Sequence, residues 1–115
     1  MAKYENIRAL AKKQLQAVTE SSDRWKAFLQ TAAIAYNYSF PNQLLIHEQS
    51  PTATAVADIA YWNNNAGRWV KRGAHGIAVF DTRANSSRLR YLFDISDTIP
   101  RAEIPEALPW VITDQ

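Results

Sequence analysis

A chain of 115 residues, 47% hydrophobic and 21% charged, has the length and composition of one globular domain rather than a disordered segment. It contains no cysteine, which excludes a disulfide framework, thiolate metal sites, iron–sulfur clusters and a cysteine nucleophile. The net charge of +2 is unevenly placed: residues 68–93 carry Arg68, Lys71, Arg72, Arg83, Arg88 and Arg90 against Asp81 alone, a balance of +5, and residues 94–115 stand at −4. A local positive potential of this kind steers polyanions.

In chain order, residues 4–18 place Tyr4, Ile7, Leu10, Ala11, Leu15 and Val18 near helical spacing, which predicts an amphipathic helix. Asp23 is positioned to cap a second helix, whose apolar residues Trp25, Phe28, Leu29, Ala32, Ala33 and Tyr36 form the most regular stripe in the chain. Ser39 is a further N-cap, with Pro41 tolerated in the first turn, and the short helix through Leu44, Leu45 and Ile46 must end before Pro51. Asp58 can cap another short helix through Ile59 and Trp62, and Asn63-Asn64-Asn65-Ala66-Gly67 stops it. From Arg68 the apolar period becomes two, which predicts strands at 69–70, 77–80 and 89–93. Helices followed by strands argue an α+β fold, with N-terminal helices packed on a small antiparallel three-stranded meander. Residues 1–98 form the domain in this reading. Residues 99–115, with Pro100, Pro105 and Pro109 and an acidic balance, read as a tail or linker from which Trp110 is placed to dock back onto the domain.

The sequence offers little to an enzyme. His47-Glu48 lacks the second histidine of a zincin helix, and His75, in a glycine-rich turn, is the only other histidine. No nucleophile elbow, Walker loop or dinucleotide fingerprint occurs, and no cofactor is implied. The basic and aromatic residues point elsewhere. Arg68, Lys71 and Arg72 flank Trp69 between Gly67 and Gly73, where glycine lets phosphate approach backbone N–H groups. Arg88 and Arg90 share one strand face, roughly 6.5–7 Å apart, while Leu89, Tyr91 and Phe93 share the other. Tyr38 is a candidate stacking platform. Asn42 and Gln43 admit two readings: amides that pair with base edges, or amides that support the Ser39 cap and buried backbone.

The runs Tyr36-Asn37-Tyr38-Ser39-Phe40-Pro41-Asn42-Gln43-Leu44-Leu45-Ile46 and Gly67-Arg68-Trp69-Val70-Lys71-Arg72-Gly73-Ala74-His75-Gly76, with Trp62 between them, resemble one family. It is the N-terminal domain of the anti-restriction protein ArdC, in the variant fused to large helicase- or primase-like proteins of conjugative elements. The resemblance spans roughly residues 25–98. It implies a non-enzymatic, sequence-tolerant single-stranded DNA-binding module of a conjugative plasmid or transposon protein. The metallopeptidase-like domain of fuller members has no counterpart here, and other domains of a longer parent protein are implied partners. By family position Asn42, Gln43, Arg68, Trp69, Lys71, Arg72 and Gly73 are carried over as contact residues.

With Tyr38, Arg88 and Arg90 these make the expected nucleic-acid-binding set. Arg68, Lys71, Arg72, Arg88 and Arg90 hold phosphates, Trp69 and Tyr38 stack bases, and Asn42 and Gln43 line the groove. Five phosphate contacts imply a log–log salt slope of about −3.5. The alternative is a protein-interaction module that positions a neighbouring helicase or relaxase domain through exposed tryptophans and the acidic tail. No apolar run approaches the roughly 20 residues of a membrane span. The first six residues lack the apolar stretch of a signal peptide, so the expected location is the cytoplasm.

Overall fold

The computed structural model describes residues 2–82 and 88–101. Helices α1 (Ala2–Val18), α2 (Ser22–Ile34) and α3 (Phe40–Gln49) come first, followed by strand β1 (Val56–Ala57) and helix α4 (Ile59–Asn64). Strands β2 (Arg68–Val70), β3 (Ile77–Phe80) and β4 (Leu89–Asp94), a 3-10 turn over Ile95–Asp97 and strand β5 (Thr98–Pro100) complete the described residues. The fold is α+β, with a three-stranded antiparallel sheet in the order β1-β4-β3 and a separate antiparallel pair, β2-β5.

Local chemistry sets the helix starts. Ser39 accepts from the Asn42 N–H and Asp58 from the Tyr61 N–H, each satisfying a donor left open by the first turn. For α2 the cap is Ser21, which accepts from the Arg24 N–H, and Asp23 sits inside the first turn. Asp23 still favours the positive end of the helix dipole from there.

The buried stripes are narrower than the apolar ones. On α1, Ala11, Gln14 and Val18 face inward while Leu15 is exposed. On α2, Phe28 and Thr31 are buried with Ala35 just beyond, whereas Trp25, Leu29 and Tyr36 are exposed, Tyr36 by 80%. Phe28 joins Val18 and Leu44 in one apolar cluster; Ala11, Ala35, Leu45, Ile46, Ile77, Val79 and Leu92 form the larger one. Each large side chain so buried contributes about 1.5–3 kcal/mol.

The sheet departs from a simple meander in its membership. Segment 69–70 does not join 77–80 and 89–93; it pairs with Thr98–Pro100 in the register Arg68↔Pro100, Trp69↔Ile99 and Val70↔Thr98. Its place beside β4 is taken by Val56 and Ala57, opposite Asp94 and Phe93. A two-residue strand carries no periodicity, so β1 leaves no trace in the sequence pattern. Residues 99–101, which composition assigns to the tail, belong to the folded body: Ile99 and Pro100 are in β5, and the Arg101 N–H donates to the Gly67 carbonyl. Trp110 lies outside the described residues.

The edge of β3 is closed by a helix instead of a strand. The Asp81 N–H donates to the Arg88 carbonyl, so in the antiparallel alternation Ile77 and Val79 face β4 and Ala78 and Phe80 face outward. Those two residues meet α3. The Asn42 amide donates to the Phe80 carbonyl at 3.0 Å and accepts from its N–H at 2.8 Å. The Gln49 amide does the same for Ala78, at 2.8 and 2.9 Å. Seven helical residues rise about 10.5 Å, against about 6.6 Å for two strand residues. The longer Gln49 side chain helps absorb the mismatch. Gly76, just before β3, lies against Tyr91, where an added Cβ would come within 2.8 Å of the Tyr91 Cβ.

Replacing Asn42 by leucine keeps the volume but strips both partners from Phe80. We expect a loss of about 1–3 kcal/mol, read as a lower urea midpoint at unchanged slope; an unchanged midpoint would show that the β3 edge does not need the amide.

Candidate nucleic-acid interface

The basic segment is divided by the fold. Arg68 is tied to β5: its Nε donates to the Thr98 hydroxyl at 2.6 Å and an Nη to the Thr98 carbonyl at 3.2 Å. Trp69 is 8% exposed, and the Arg101 guanidinium sits 4.7 Å from its ring centroid. Trp69 therefore offers no free face for stacking, because a cation already occupies the one it presents. Arg101 is held in place by the Asn63 carbonyl, to which it donates.

Lys71, Arg72 and Gly73 lie in an exposed turn between β2 and β3. The Ala74 N–H donates to the Lys71 carbonyl, and Gly73 has a φ of +86°, the left-handed value that the third position of a type II turn requires. This part of the expected set keeps the exposure a phosphate contact needs. The turn is anchored by the Lys71 N–H, which donates to the Asp97 carbonyl at 2.7 Å.

On β4 the inner and outer faces are the reverse of the apolar count. Leu92 and Asp94 are buried on the side that carries Arg90, while Tyr91 on the opposite side is 40% exposed. Arg90 does not reach out beside Arg88. Its Nη2 donates to the Asp58 carboxylate at 2.9 Å, and its guanidinium lies 6.0 Å from the Tyr38 ring centroid. Asp58 uses its other oxygen to cap α4, so a single carboxylate fixes both the helix start and the arginine. Arg88 remains exposed at the start of the strand.

The side chains of Asn42 and Gln43 are both engaged with backbone groups, Asn42 with Phe80 rather than with the Ser39 cap. Asn42 is 3% exposed and spends both amide atoms on Phe80. Gln43 donates to the carbonyls of Ala35 and Tyr38, the groups left open where α2 gives way to α3. Asn42 has no amide atom left for a base edge, and the Gln43 amide nitrogen is committed to backbone.

What the expected set omits is a cleft of about 560 Å³ between the end of α2, β1 and α4. Tyr38 and Arg90 line it, together with Ile34, Val56, Tyr61 and Ile95. Tyr38 is half-buried, and its hydroxyl is 3.5 Å from the Val56 carbonyl. Burial raises the phenol above its ordinary range; Arg90 pulls the other way and Asp58 adds to the rise. The phenol is thus neutral at physiological pH. Tyr61 and Val56 carried no signal of their own in the sequence, since β1 is too short to show a period and Tyr61 is an ordinary helix residue.

The far end of the cleft is shaped by Asp94, which accepts from the N–H groups of Thr54, Ala55 and Ser96. Burial alone would raise its pKa, but hydrogen bonding from the Ser96 side chain and from these backbone groups outweighs it and holds the carboxyl below its ordinary 3.8. Away from the cleft, His47 Nδ1 stands 2.8 Å from the Thr31 hydroxyl, and burial lowers its pKa from 6.5 against the raising effect of Glu48.

No helix among the described residues is long and apolar enough to cross a membrane. Comparison with protein-family models, with curated proteins and with solved structures finds no match.

The two depressed pKa values set a direction for acid sensitivity. In both cases the unfolded chain binds the proton more readily than the folded one. The contribution of His47 is complete above 6.5 and declines as pH falls through its lower folded value. That of Asp94 is complete above 3.8 and lost below its own. Urea unfolding from pH 7 to pH 2 should therefore show stability falling in two stages. His47→Gln should flatten the first and Asp94→Asn the second; unaltered profiles would remove these groups as the cause.

Proposed function

We propose that this chain is a non-enzymatic module that binds single-stranded DNA, as the resemblance to the ArdC N-terminal domain implies. The observation that carries the reading is that exposed cations adjoin, along the chain or by a backbone hydrogen bond, segments that lead to Arg90 and Ile95 of the Tyr38–Arg90 cleft. Arg88 precedes Arg90 by two residues and so shares its strand face, roughly 6.5–7 Å away. The turn bearing Lys71 and Arg72 is bonded to Asp97, in the same 3-10 turn whose first residue, Ile95, lines the cleft.

The contact set is accordingly Lys71, Arg72 and Arg88 for phosphate, with the Gly73 turn admitting close approach. Arg68 and Arg90 hold the fold together and set the shape of the site. Three phosphate contacts imply a log–log salt slope of about −2 for a single strand, shallower than five would give. Fluorescence anisotropy of a labelled oligo(dT) at about 50 and about 200 mM salt measures it, with duplex as competitor. Lys71→Ala and Arg72→Ala should each weaken binding to all sequences alike and reduce the slope by about 0.7, because phosphate contacts position without specifying. A slope near zero, or equal competition by duplex, would sink the reading.

A second reading, an interaction module for a neighbouring helicase or relaxase domain, is favoured by one observation. Trp25, Leu29, Ala33 and Tyr36 lie within one side of α2 and its extension, and all four are exposed. Trp25→Ala with Leu29→Ser should leave DNA affinity within twofold; a larger loss would place the strand on α2 rather than on the cleft.

A further inference from the structure

We infer that the cleft between α2, β1 and α4 seats one unstacked nucleobase of the bound strand, while the surrounding exposed cations take its phosphates; this rests on the single-strand reading above. The argument starts from charge. Arg90 and Asp58 are paired at 2.9 Å with side chains 19% and 29% exposed, so the cleft floor is close to neutral and is a poor seat for phosphate. A neutral, flat group is a different matter. The cleft volume of about 560 Å³ falls within the ordinary range for ligand sites. Its walls are mostly apolar or aromatic, from Ile34, Val56, Tyr61 and Ile95, with a few polar groups among them.

Those polar groups suit a heterocycle. Arg90 engages one Nη with Asp58, and its Nε is buried without a partner, a donor the fold has not satisfied. The Tyr38 hydroxyl, at the long distance of 3.5 Å from Val56, can both donate and accept, and the Asn37 amide at the rim offers both functions as well. Tyr61, 49% exposed, presents ring surface to solvent at the cleft wall. Ring surface beside mixed donors and acceptors is what an unstacked base requires, and it tolerates every base because each has a π face. The spacing of the cations completes the picture. With a base in the cleft, the flanking phosphates fall toward Arg88 on one side and toward Lys71 and Arg72 on the other.

The test compares the full chain's affinity for a labelled oligo(dT) with that for an abasic oligonucleotide of equal length, which keeps the phosphates and removes the bases. The same pair is measured for Tyr61→Ala and for Ile34→Trp, which fills the cleft from its exposed lip; circular dichroism checks that each variant is folded. The expected result is that the native chain favours oligo(dT) at least about fivefold. At least one folded cleft variant should lower that ratio threefold or more while abasic affinity holds. Equal binding of the two oligonucleotides overturns the base seat and leaves the phosphate-binding module standing. A ratio unchanged in the folded variants also overturns it, since the base is then read elsewhere. Failure of the native chain to bind either oligonucleotide overturns both readings.

Discussion

The fold depends on two side-chain amides doing the work of a missing strand. β3 is an edge strand with Ala78 and Phe80 turned away from β4, and an edge left open beside the core would leave polar groups unpaired at a cost of about 1–3 kcal/mol each. Asn42 and Gln49 stand seven residues apart on α3 and answer both residues, donor for acceptor and acceptor for donor. The arrangement fixes more than the edge. Because hydrogen bonds are directional, it sets the height and rotation of α3 against the sheet, and with them the position of Leu45 and Ile46 over Val79 and Leu92. It also blunts an edge that would otherwise recruit another chain.

The second organising constraint is that β4 carries charged side chains inward and meets them with partners from distant segments. β4 turns Arg90, Leu92 and Asp94 inward, although only one of the three is apolar. Arg90 is matched by Asp58, and Asp94 by three backbone N–H groups. Each match ties β4 to a segment far along the chain: Asp58 starts α4, while Thr54 and Ala55 lead into β1. The cleft is a consequence of these ties, since the chain from residue 54 to α4 is held against β4 by polar contacts and leaves a gap toward the end of α2.

Charge in the basic segment therefore has two fates. Arg68 and Arg90 join strand to strand and strand to helix, and Arg101, from beyond the segment, covers Trp69. Lys71, Arg72 and Arg88 remain exposed. The committed arginines shape the fold, and the exposed cations are the ones left for a ligand. The proposed single-strand function draws on that separation. The exposed row on α2 marks a second surface, and the two do not share a residue.

The sequence by itself determined the fold class and the local beginnings of structure. Period and capping chemistry are short-range properties, so the three N-terminal helices, the Ser39 and Asp58 caps and the strands read at 77–80 and 89–93 were legible as elements. So was the glycine-bearing connection between 70 and 77, in which Gly73 has a positive φ. Only tertiary structure decided which strand pairs with which, because β1 and β5 have two and three residues and too little pattern to announce themselves. Tertiary structure also decided which face of β4 is buried. Three apolar residues, Leu89, Tyr91 and Phe93, favour one side by count, but the partners that make Arg90 and Asp94 acceptable inside come from residues about 30 to 40 positions away. The same distance separates Asn42 from Phe80. An amide shows in the sequence that it can pair, but only the folded chain shows with what.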